Sequence, residues 1–170
     1  MNAERLIVSD TGPLITLEKL TDGYRFIRLL YDKIFVPRAV LEELSQGQFT
    51  SAGAYLTHYD VGDLFDVVVS PGDLGDLDET EEELLDAGER EAIQVALDRR
   101  LPLLIEEEAG RRIAQRLGIP ISGIAGQVLK AFRQGIVPAA EAVAKLRQLL
   151  QSGRINRKIY EGLIGAVREG

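Results

Sequence analysis

Short apolar segments alternate with helical patterns along this 170-residue chain, and this alternation constrains its fold more than any other feature. Apolar periodicity predicts helices between the strand-like segments, at Pro13–Leu20, Tyr24–Leu30, Arg38–Leu44, Gly88–Arg99 and Arg111–Leu117. The strands themselves are predicted at Arg5–Ser9, Lys33–Val36, Phe65–Ser70, Pro102–Ile105 and Pro120–Ser122. Strands that alternate with helices indicate a parallel sheet with helices on both faces. We therefore expect a three-layer α/β/α fold with a central parallel sheet of four or five strands.

After Gly123 the pattern becomes entirely helical, with helices predicted at Gly126–Gln134, Pro138–Leu150 and Asn156–Arg168. The length favours a single domain over residues 1–170, with an α/β core at 1–123 and a C-terminal helical tail at 124–170. The stretch Pro71–Glu83 is rich in Asp, Glu and Gly, which predicts a solvated linker or mobile loop.

The composition excludes several classes of protein. A hydrophobic fraction of 45% and a charged fraction of 28% are typical of a globular protein in water. No apolar run is long enough for a membrane span, and the N-terminus has no signal-peptide pattern. The absence of cysteine excludes disulfides and zinc–thiolate sites, so we expect a cytoplasmic protein without a membrane partner. The single histidine, His58, excludes chemistry that needs two imidazoles, and we expect it to be a surface or packing residue.

A net charge of −7 disfavours a non-specific nucleic-acid binder, since such proteins are normally basic. It does not exclude a nuclease, because acidic residues at a metal site can coexist with a local basic surface. The C-terminal third is biased towards positive charge by Arg111, Arg112, Arg116, Lys130, Arg133, Arg154, Arg157 and Lys158.

Acidic residues stand in four clusters beside these apolar segments. Asp10 ends the first strand, and Glu106, Glu107 and Glu108 follow the fourth. Glu42 and Glu43 lie in the helix after Pro37, while Glu89 and Glu91 open a later helix. The carboxyl ends of parallel strands and the first turns of the following helices share one edge of the sheet, so three clusters should meet there. Because like charges repel, their convergence predicts a hard divalent cation with oxygen ligands.

Helical angles distinguish the members of two clusters. At about 100° per residue, Glu43 flanks the apolar arc of its helix whereas Glu42 points nearly away from it. Glu89 shares the face of Ala92 and Ile93, and Glu91 points towards the far side. Glu43 and Glu89 are therefore the stronger candidates for a site, and metal-assisted phosphodiester cleavage is the leading hypothesis.

Each acidic residue also has a simpler interpretation. Asp10 is suited to cap the helix that follows it. Glu89, Glu91 and the acids at 106–108 suit the positive end of a helix dipole without any ligand. Arg111 and Arg112 either contact phosphate or are solvated charges on an exposed helix face.

Four segments in order carry a family resemblance. They are Ile7–Ile15, Val36–Leu44, Leu85–Ile93 and Leu104–Glu107, the last followed by Gly110-Arg111-Arg112. In this order the chain resembles the PIN domain family (PilT N-terminus), the fold of the VapC-type toxin ribonucleases. The turn and helix at Gly123–Leu129 are similar to a prokaryotic PIN subfamily of largely unassigned function.

The resemblance implies that Asp10, Glu43, Glu89 and Glu106 are catalytic and hold one or two Mg²⁺ or Mn²⁺ ions. Glu91 and Glu107 are further candidate metal ligands, and the fourth acid is one of residues 106–108. Thr11 is the hydroxyl we add, as a group that positions a ligand or a water. The chain departs from active PIN nucleases at the third and fourth acids, where those enzymes usually have aspartate.

The implied function is a metal-dependent ribonuclease, the toxin of a toxin–antitoxin pair, with RNA as substrate and an antitoxin protein as partner. We also expect a homodimer, as the resemblance to PIN toxins implies. The Ile27, Leu29, Leu30 and Tyr31 segment and the apolar faces of the C-terminal helices together offer more apolar surface than one sheet needs. Two alternatives remain. One is a catalytically silent PIN-like module that binds a protein. The other is a flavodoxin-like or receiver-like phospho-acceptor, which is disfavoured because no lysine occupies a strand end near the acids.

Overall fold

A five-stranded parallel sheet forms the centre of the computed structural model, which describes residues 3–69, 75 and 77–170. Every strand pairs with its neighbours in parallel. The strands are β1 (Leu6–Ser9), β2 (Lys33–Pro37), β3 (Phe65–Val68), β4 (Leu103–Leu104) and β5 (Ile121–Ser122). The predicted class, a three-layer α/β fold with a central parallel sheet, is confirmed. The predicted end of the third strand at Ser70 lies outside the described residues.

The strand order β3-β2-β1-β4-β5 places a switch point between β1 and β4. From β1 the chain adds strands on one side, and from β4 it continues on the other. The backbone N–H of Asp10 donates to the carbonyl of Leu104 at 3.0 Å, and that of Ile105 donates to Ser122 at 3.0 Å. Asp10 and Glu106 therefore leave the sheet side by side, at the position where parallel sheets form their ligand sites.

Helices connect the strands and form the C-terminal third. Within the described residues they are α1 (Thr11–Glu18), α2 (Gly23–Ile27), α3 (Arg38–Ser45), α4 (Ala52–Tyr59), α5 (Glu79–Leu84), α6 (Ala87–Arg99), α7 (Glu108–Arg116), α8 (Ile124–Arg133), α9 (Ala139–Gln151) and α10 (Arg157–Glu169). Eight of these correspond to predicted helices with small shifts of their ends, and the predicted C-terminal helical tail is present.

Two helices were missed by the sequence analysis. α5 lies inside the stretch predicted as a linker or loop, so that prediction is wrong for its helical part, while residues 70–74 and 76 lie outside the described residues. Asp78 begins α5 with a capping box: it accepts from the Glu81 N–H at 2.8 Å, and the Glu81 carboxylate accepts from the Asp78 N–H at 3.3 Å. An Asp followed three residues later by a Glu is a readable signal for a helix start. α4 has a comparable signal in Ser51, whose hydroxyl accepts from the Ala54 N–H.

The chain divides into two compact units. The first comprises residues 1–14 and 31–122, and its core lies where α6 packs against β1, β2 and α3. Val8, Ala92, Ile93 and Ile105 are fully buried in that core. α6 is thereby fixed on the sheet with its first turn towards the carboxyl ends of the strands.

The second unit comprises residues 15–30 and 123–170. In it α9 packs against α8 and α10, and Arg154 Nε donates to Thr16 Oγ1 at 2.8 Å. In this division residues 15–30 group with the C-terminal helices rather than with the sheet. That the whole chain is one domain stays a prediction.

The segment on which we based the expectation of a homodimer is mostly buried within the chain itself. Ile27, Leu30 and Tyr31 are 0%, 4% and 6% exposed, and only Leu29, at 46%, reaches the surface. Three of the four residues therefore do not offer the apolar surface that we expected a second copy of the chain to cover. Among the described helices, none is long and apolar enough to cross a membrane.

Candidate metal centre

Asp10 lies directly after β1 and is 3% exposed. No hydrogen-bond donor from the described part of the chain reaches its Oδ1. Burial raises the pKa of this carboxyl to about 7; the Thr11 backbone N–H opposes the shift, and the charges of Asp86, Glu43 and Glu107 add to it. Asp10 is thus a buried acid surrounded by other acids, with one oxygen that lacks a donor.

Glu89 is the second buried acid and projects from the first turn of α6. It is 7% exposed, and its Oε2 also lacks a hydrogen-bond partner among the described residues. Burial raises its pKa to about 8. The negative charges of Asp86, Asp10 and Glu107 contribute to this rise, and so does a hydrogen bond with Asp86. A purely structural role of α6 does not explain Glu89, because burying a polar atom without a hydrogen-bond partner destabilises the fold.

Glu43 is half-buried near the end of α3, and Thr11 holds one of its oxygens. The Thr11 hydroxyl donates to Glu43 Oε2 at 2.8 Å. The other oxygen, Oε1, lies against Gly88 in the first turn of α6. Glu42, the neighbouring acid, is exposed, in agreement with the helical angle.

The fourth cluster follows β4, and its three acids occupy different environments. Glu107 is exposed, yet its charge contributes to the raised pKa of both Asp10 and Glu89. Glu106 is half-buried with its Cβ beside Gly12, 3.9 Å from an ideally placed β-carbon there. Glu108 forms an exposed pair with Arg112 at 3.3 Å. Residues 106 and 107 thus lie at the acidic cluster, and the charge of Glu107 acts on both buried carboxyls.

Glu91 and Arg111, two of the residues singled out in the sequence, form hydrogen bonds with main-chain groups. The Glu91 carboxylate accepts from the Ala39 N–H at 3.3 Å, at the first turn of α3, so the structure gives this candidate ligand a helix end as its partner. Arg111 Nη1 donates to the carbonyl of Ile105 at 2.8 Å and therefore fixes the backbone next to Glu106. His58 is exposed on α4 and contacts Phe49 and Tyr59 edge-on, as expected of a surface residue.

Asp86 is a residue of the cluster that was not among the candidates from the sequence. It caps α6, and its Oδ1 accepts from the Glu89 N–H at 2.8 Å. Its negative charge also raises the pKa of both Asp10 and Glu89. An Asp three residues before a Glu, at the start of a predicted helix, is the signal that could have identified it.

The residues of this cluster fit a hard divalent cation. Carboxylate oxygens are the ligands that such ions prefer, and Asp10 and Glu89 each offer a buried oxygen without a donor. Within the described residues, no three acidic or histidine side chains already form a coordinating group.

The comparison with family models connects this geometry to known proteins. A model described as PIN domain matches residues 6–169, from β1 to the end of α10, and so includes all four acidic clusters. A comparison with curated proteins gave no match. Because the match covers nearly the whole sequence, this chain belongs to the PIN domain family, whose members are generally metal-dependent nucleases.

Proposed function

We propose that this protein is a Mg²⁺- or Mn²⁺-dependent ribonuclease that hydrolyses RNA phosphodiester bonds. One observation carries the proposal: Asp10 and Glu89 bury carboxylate oxygens that lack hydrogen-bond donors, in the midst of further acids. Membership of the PIN domain family supports nuclease chemistry at this site.

The cation would be held by Asp10, Glu43 and Glu89, together with an acid of the fourth cluster. Glu107 and Glu106 are both candidates for that position, since Glu107 acts electrostatically on both buried carboxyls and Glu106 is half-buried beside Gly12. When bound, the metal lowers the pKa of a water and stabilises negative charge on the phosphate.

The remaining functions fall to residues of the chain itself. Thr11 orients Glu43, and Asp86 fixes the first turn of α6 that carries Glu89. Arg111 holds the carbonyl of Ile105 and so the backbone that leads into the fourth cluster. A carboxylate of the cluster accepts the proton of the attacking water, as a general base.

We further propose that the protein is the toxin of a toxin–antitoxin pair, acts as a homodimer and binds an antitoxin protein. The support is the sequence resemblance to VapC-type toxins. A short reading frame for a small DNA-binding protein beside the gene would support the pair, and co-expression of that protein should relieve growth inhibition.

Light scattering at micromolar concentration tests the dimer, and a single species of 18.7 kDa would contradict it.

A catalytically silent PIN-like module that binds a protein is the second candidate. It is favoured by the glutamates that stand where active relatives usually have aspartate. One extra methylene moves a carboxylate by about 1 Å, and a misplacement of that size strongly lowers catalysis. In this case the acidic cluster would bind metal without cleaving RNA.

The experiment that tests the function measures cleavage of single-stranded RNA in Mn²⁺, in Mg²⁺ and in EDTA. We expect cleavage in either metal and little in EDTA. Asp10→Asn and Glu89→Gln should abolish it, because each removes a ligand charge while keeping side-chain volume. Glu42→Gln is the matched control on α3 and should be near neutral, since Glu42 is exposed.

The aspartate variants distinguish the two candidate functions. If the wild type is inert but Glu106→Asp or Glu107→Asp cleaves RNA, the protein is a nuclease with a displaced ligand. If all three bind metal and remain inert on several RNAs, the protein is the binding module.

A further inference from the structure

Two glycines in the first turns of α6 and α7 lie directly against carboxylates of the acidic cluster. An ideal β-carbon on Gly88 would lie 2.6 Å from Oε1 and 3.2 Å from Cδ of Glu43. One on Gly110 would lie 3.1 Å from Oε2 of Glu89. Each carboxylate thus occupies, or closely abuts, the place where any other residue would carry its side chain.

Neither glycine is explained by its backbone. Both lie in regular helix, and the glycines with positive φ in the described part of the chain are Gly47, Gly118, Gly135 and Gly153. In a helix, alanine is more favourable than glycine. The reason for glycine at position 88 is therefore the space that the Glu43 carboxylate fills. At position 110 it is the space that Ile105 Cδ1, 2.5 Å from the β-carbon position, and the Glu89 carboxylate fill together.

We propose that Gly88 and Gly110 are positioning residues of the metal centre, each leaving open the volume in which a ligand carboxylate lies. The contacts run from helix to helix: Glu43 of α3 lies on Gly88 of α6, and Glu89 of α6 lies on Gly110 of α7. The proposal rests on the proposed function for its metal, although the contacts themselves exist without one.

Gly88 and Thr11 together fix both oxygens of Glu43. Thr11 donates to Oε2 at 2.8 Å, while Oε1 lies against the Cα of Gly88. A methyl group at position 88 displaces Oε1 and turns the carboxylate away from the Thr11 hydroxyl. Val40 Cγ2, at 3.3 Å from the same β-carbon position, needs to move by only a few tenths of an ångström. The carboxylate is thus the group with which alanine would collide.

A melting experiment in EDTA tests the contact without metal or activity. Gly88→Ala should be less favourable to Tm in the wild-type background than in the Glu43→Ala background. In the Glu43→Ala background the same substitution should leave Tm unchanged or raise it, because the obstructing carboxylate is gone and alanine favours the helix. Should Gly88→Ala alone fail to fold, recovery of a folded protein by the double substitution is the supporting result. Equal losses of Tm in both backgrounds would overturn the proposal.

Calorimetric titration with Mn²⁺ tests the positioning role. Folded Gly88→Ala should bind Mn²⁺ about 10- to 100-fold more weakly than the wild type, the range found when groups that orient metal ligands are removed. Gly162→Ala in α10 is the matched control, since a β-carbon there meets nothing within 4 Å, and its affinity should equal that of the wild type. Unchanged affinity in Gly88→Ala would overturn the proposal. A wild type that binds no Mn²⁺ defeats the proposed function instead, and the EDTA melting cycle then decides the glycine contacts alone.

Gly110 needs one additional change, because its β-carbon would also lie 2.5 Å from Ile105 Cδ1. Ile105→Val removes that methyl group, so Gly110→Ala is compared with Gly110 in the Ile105→Val background. In the Ile105→Val background, Gly110→Ala should lower Tm in EDTA. The loss of Tm should be smaller when Glu89 is also replaced by alanine. A loss independent of residue 89 would contradict the role of Gly110.

Discussion

The hydroxyl of Thr11 donates a hydrogen bond of 2.8 Å to Oε2 of Glu43, a residue 32 positions further along the chain. This bond joins the first residue of α1 to Glu43 of α3 and so links the first acidic cluster to the second. Thr11 also donates its backbone N–H to Asp10, so one residue contacts two candidate ligands. Thr11 therefore determines how the two carboxylates face each other.

Replacing Thr11 by Val keeps the shape of the side chain and removes the hydroxyl donor. We expect Mn²⁺ affinity to fall about 10-fold or more, since the partner that orients Glu43 is lost. Thr11→Ser retains the donor and should bind metal nearly as the wild type does. Titration calorimetry measures both, and equal affinities for the Val and Ser variants would exclude an orienting role for the hydroxyl.

Divalent metal should stabilise the fold, because it binds the folded cluster and neutralises its repulsion. At a metal concentration a hundred times Kd the gain is about 2.7 kcal/mol, on the order of 5–10 °C in Tm for a chain of this length. Asp10→Asn should lose most of this gain, since it removes one ligand charge. Melting is compared in EDTA and in millimolar Mn²⁺, and the same shift in parent and variant would show that Asp10 is not part of the site.

Without metal, the stability of the protein should fall as pH rises from about 4 to about 8. The folded-state pKa values of Asp10 and Glu89, about 7 and about 8, lie above their ordinary values of 3.8 and 4.5. In this window the folded state binds more protons than the unfolded state, so each rise in pH favours unfolding. Below about pH 4 both states are protonated and the effect ends.

The difference in Tm between Asp10→Asn and the wild type isolates the Asp10 part of this effect. Asparagine does not titrate. In EDTA, the Tm of the variant relative to the Tm of the wild type should therefore rise as pH rises from 4.5 to 7.5. A difference that stays constant over this range would show that Asp10 titrates normally.

Within the fourth cluster, Glu107 should contribute to the electrostatics of the site. Glu107→Gln removes a charge that raises the pKa of both buried carboxyls, so those pKa values should fall. Carboxyl pKa values followed by NMR in metal-free protein measure this. If Glu107 is also the ligand, its replacement should weaken Mn²⁺ binding more than that of Glu106. The opposite order would assign the ligand to Glu106.

Much of the fold could be predicted from the sequence because its signals are local. Apolar segments alternating with amphipathic ones identified all five strands and eight of the ten described helices. Helix α5 was missed because Glu79–Leu84 has almost no apolar periodicity, and its capping box was overlooked. Helical angles separated Glu43 from Glu42 correctly, because the exposure of a helix face follows from residue spacing alone.

The sequence by itself determined that acids follow β1 and β4 and open α6, which places them at one edge of a parallel sheet. Only the tertiary structure decided which of them interact: Glu91 turns to the start of α3, Asp86 joins Asp10 and Glu89, and Glu107 acts on both. It also decided that Gly88 and Gly110 make room for carboxylates. The physical reason is that secondary structure follows periodicities within a few residues. Close approach between Gly88 and Glu43, by contrast, depends on how α3 and α6 pack, and no local pattern encodes that distance.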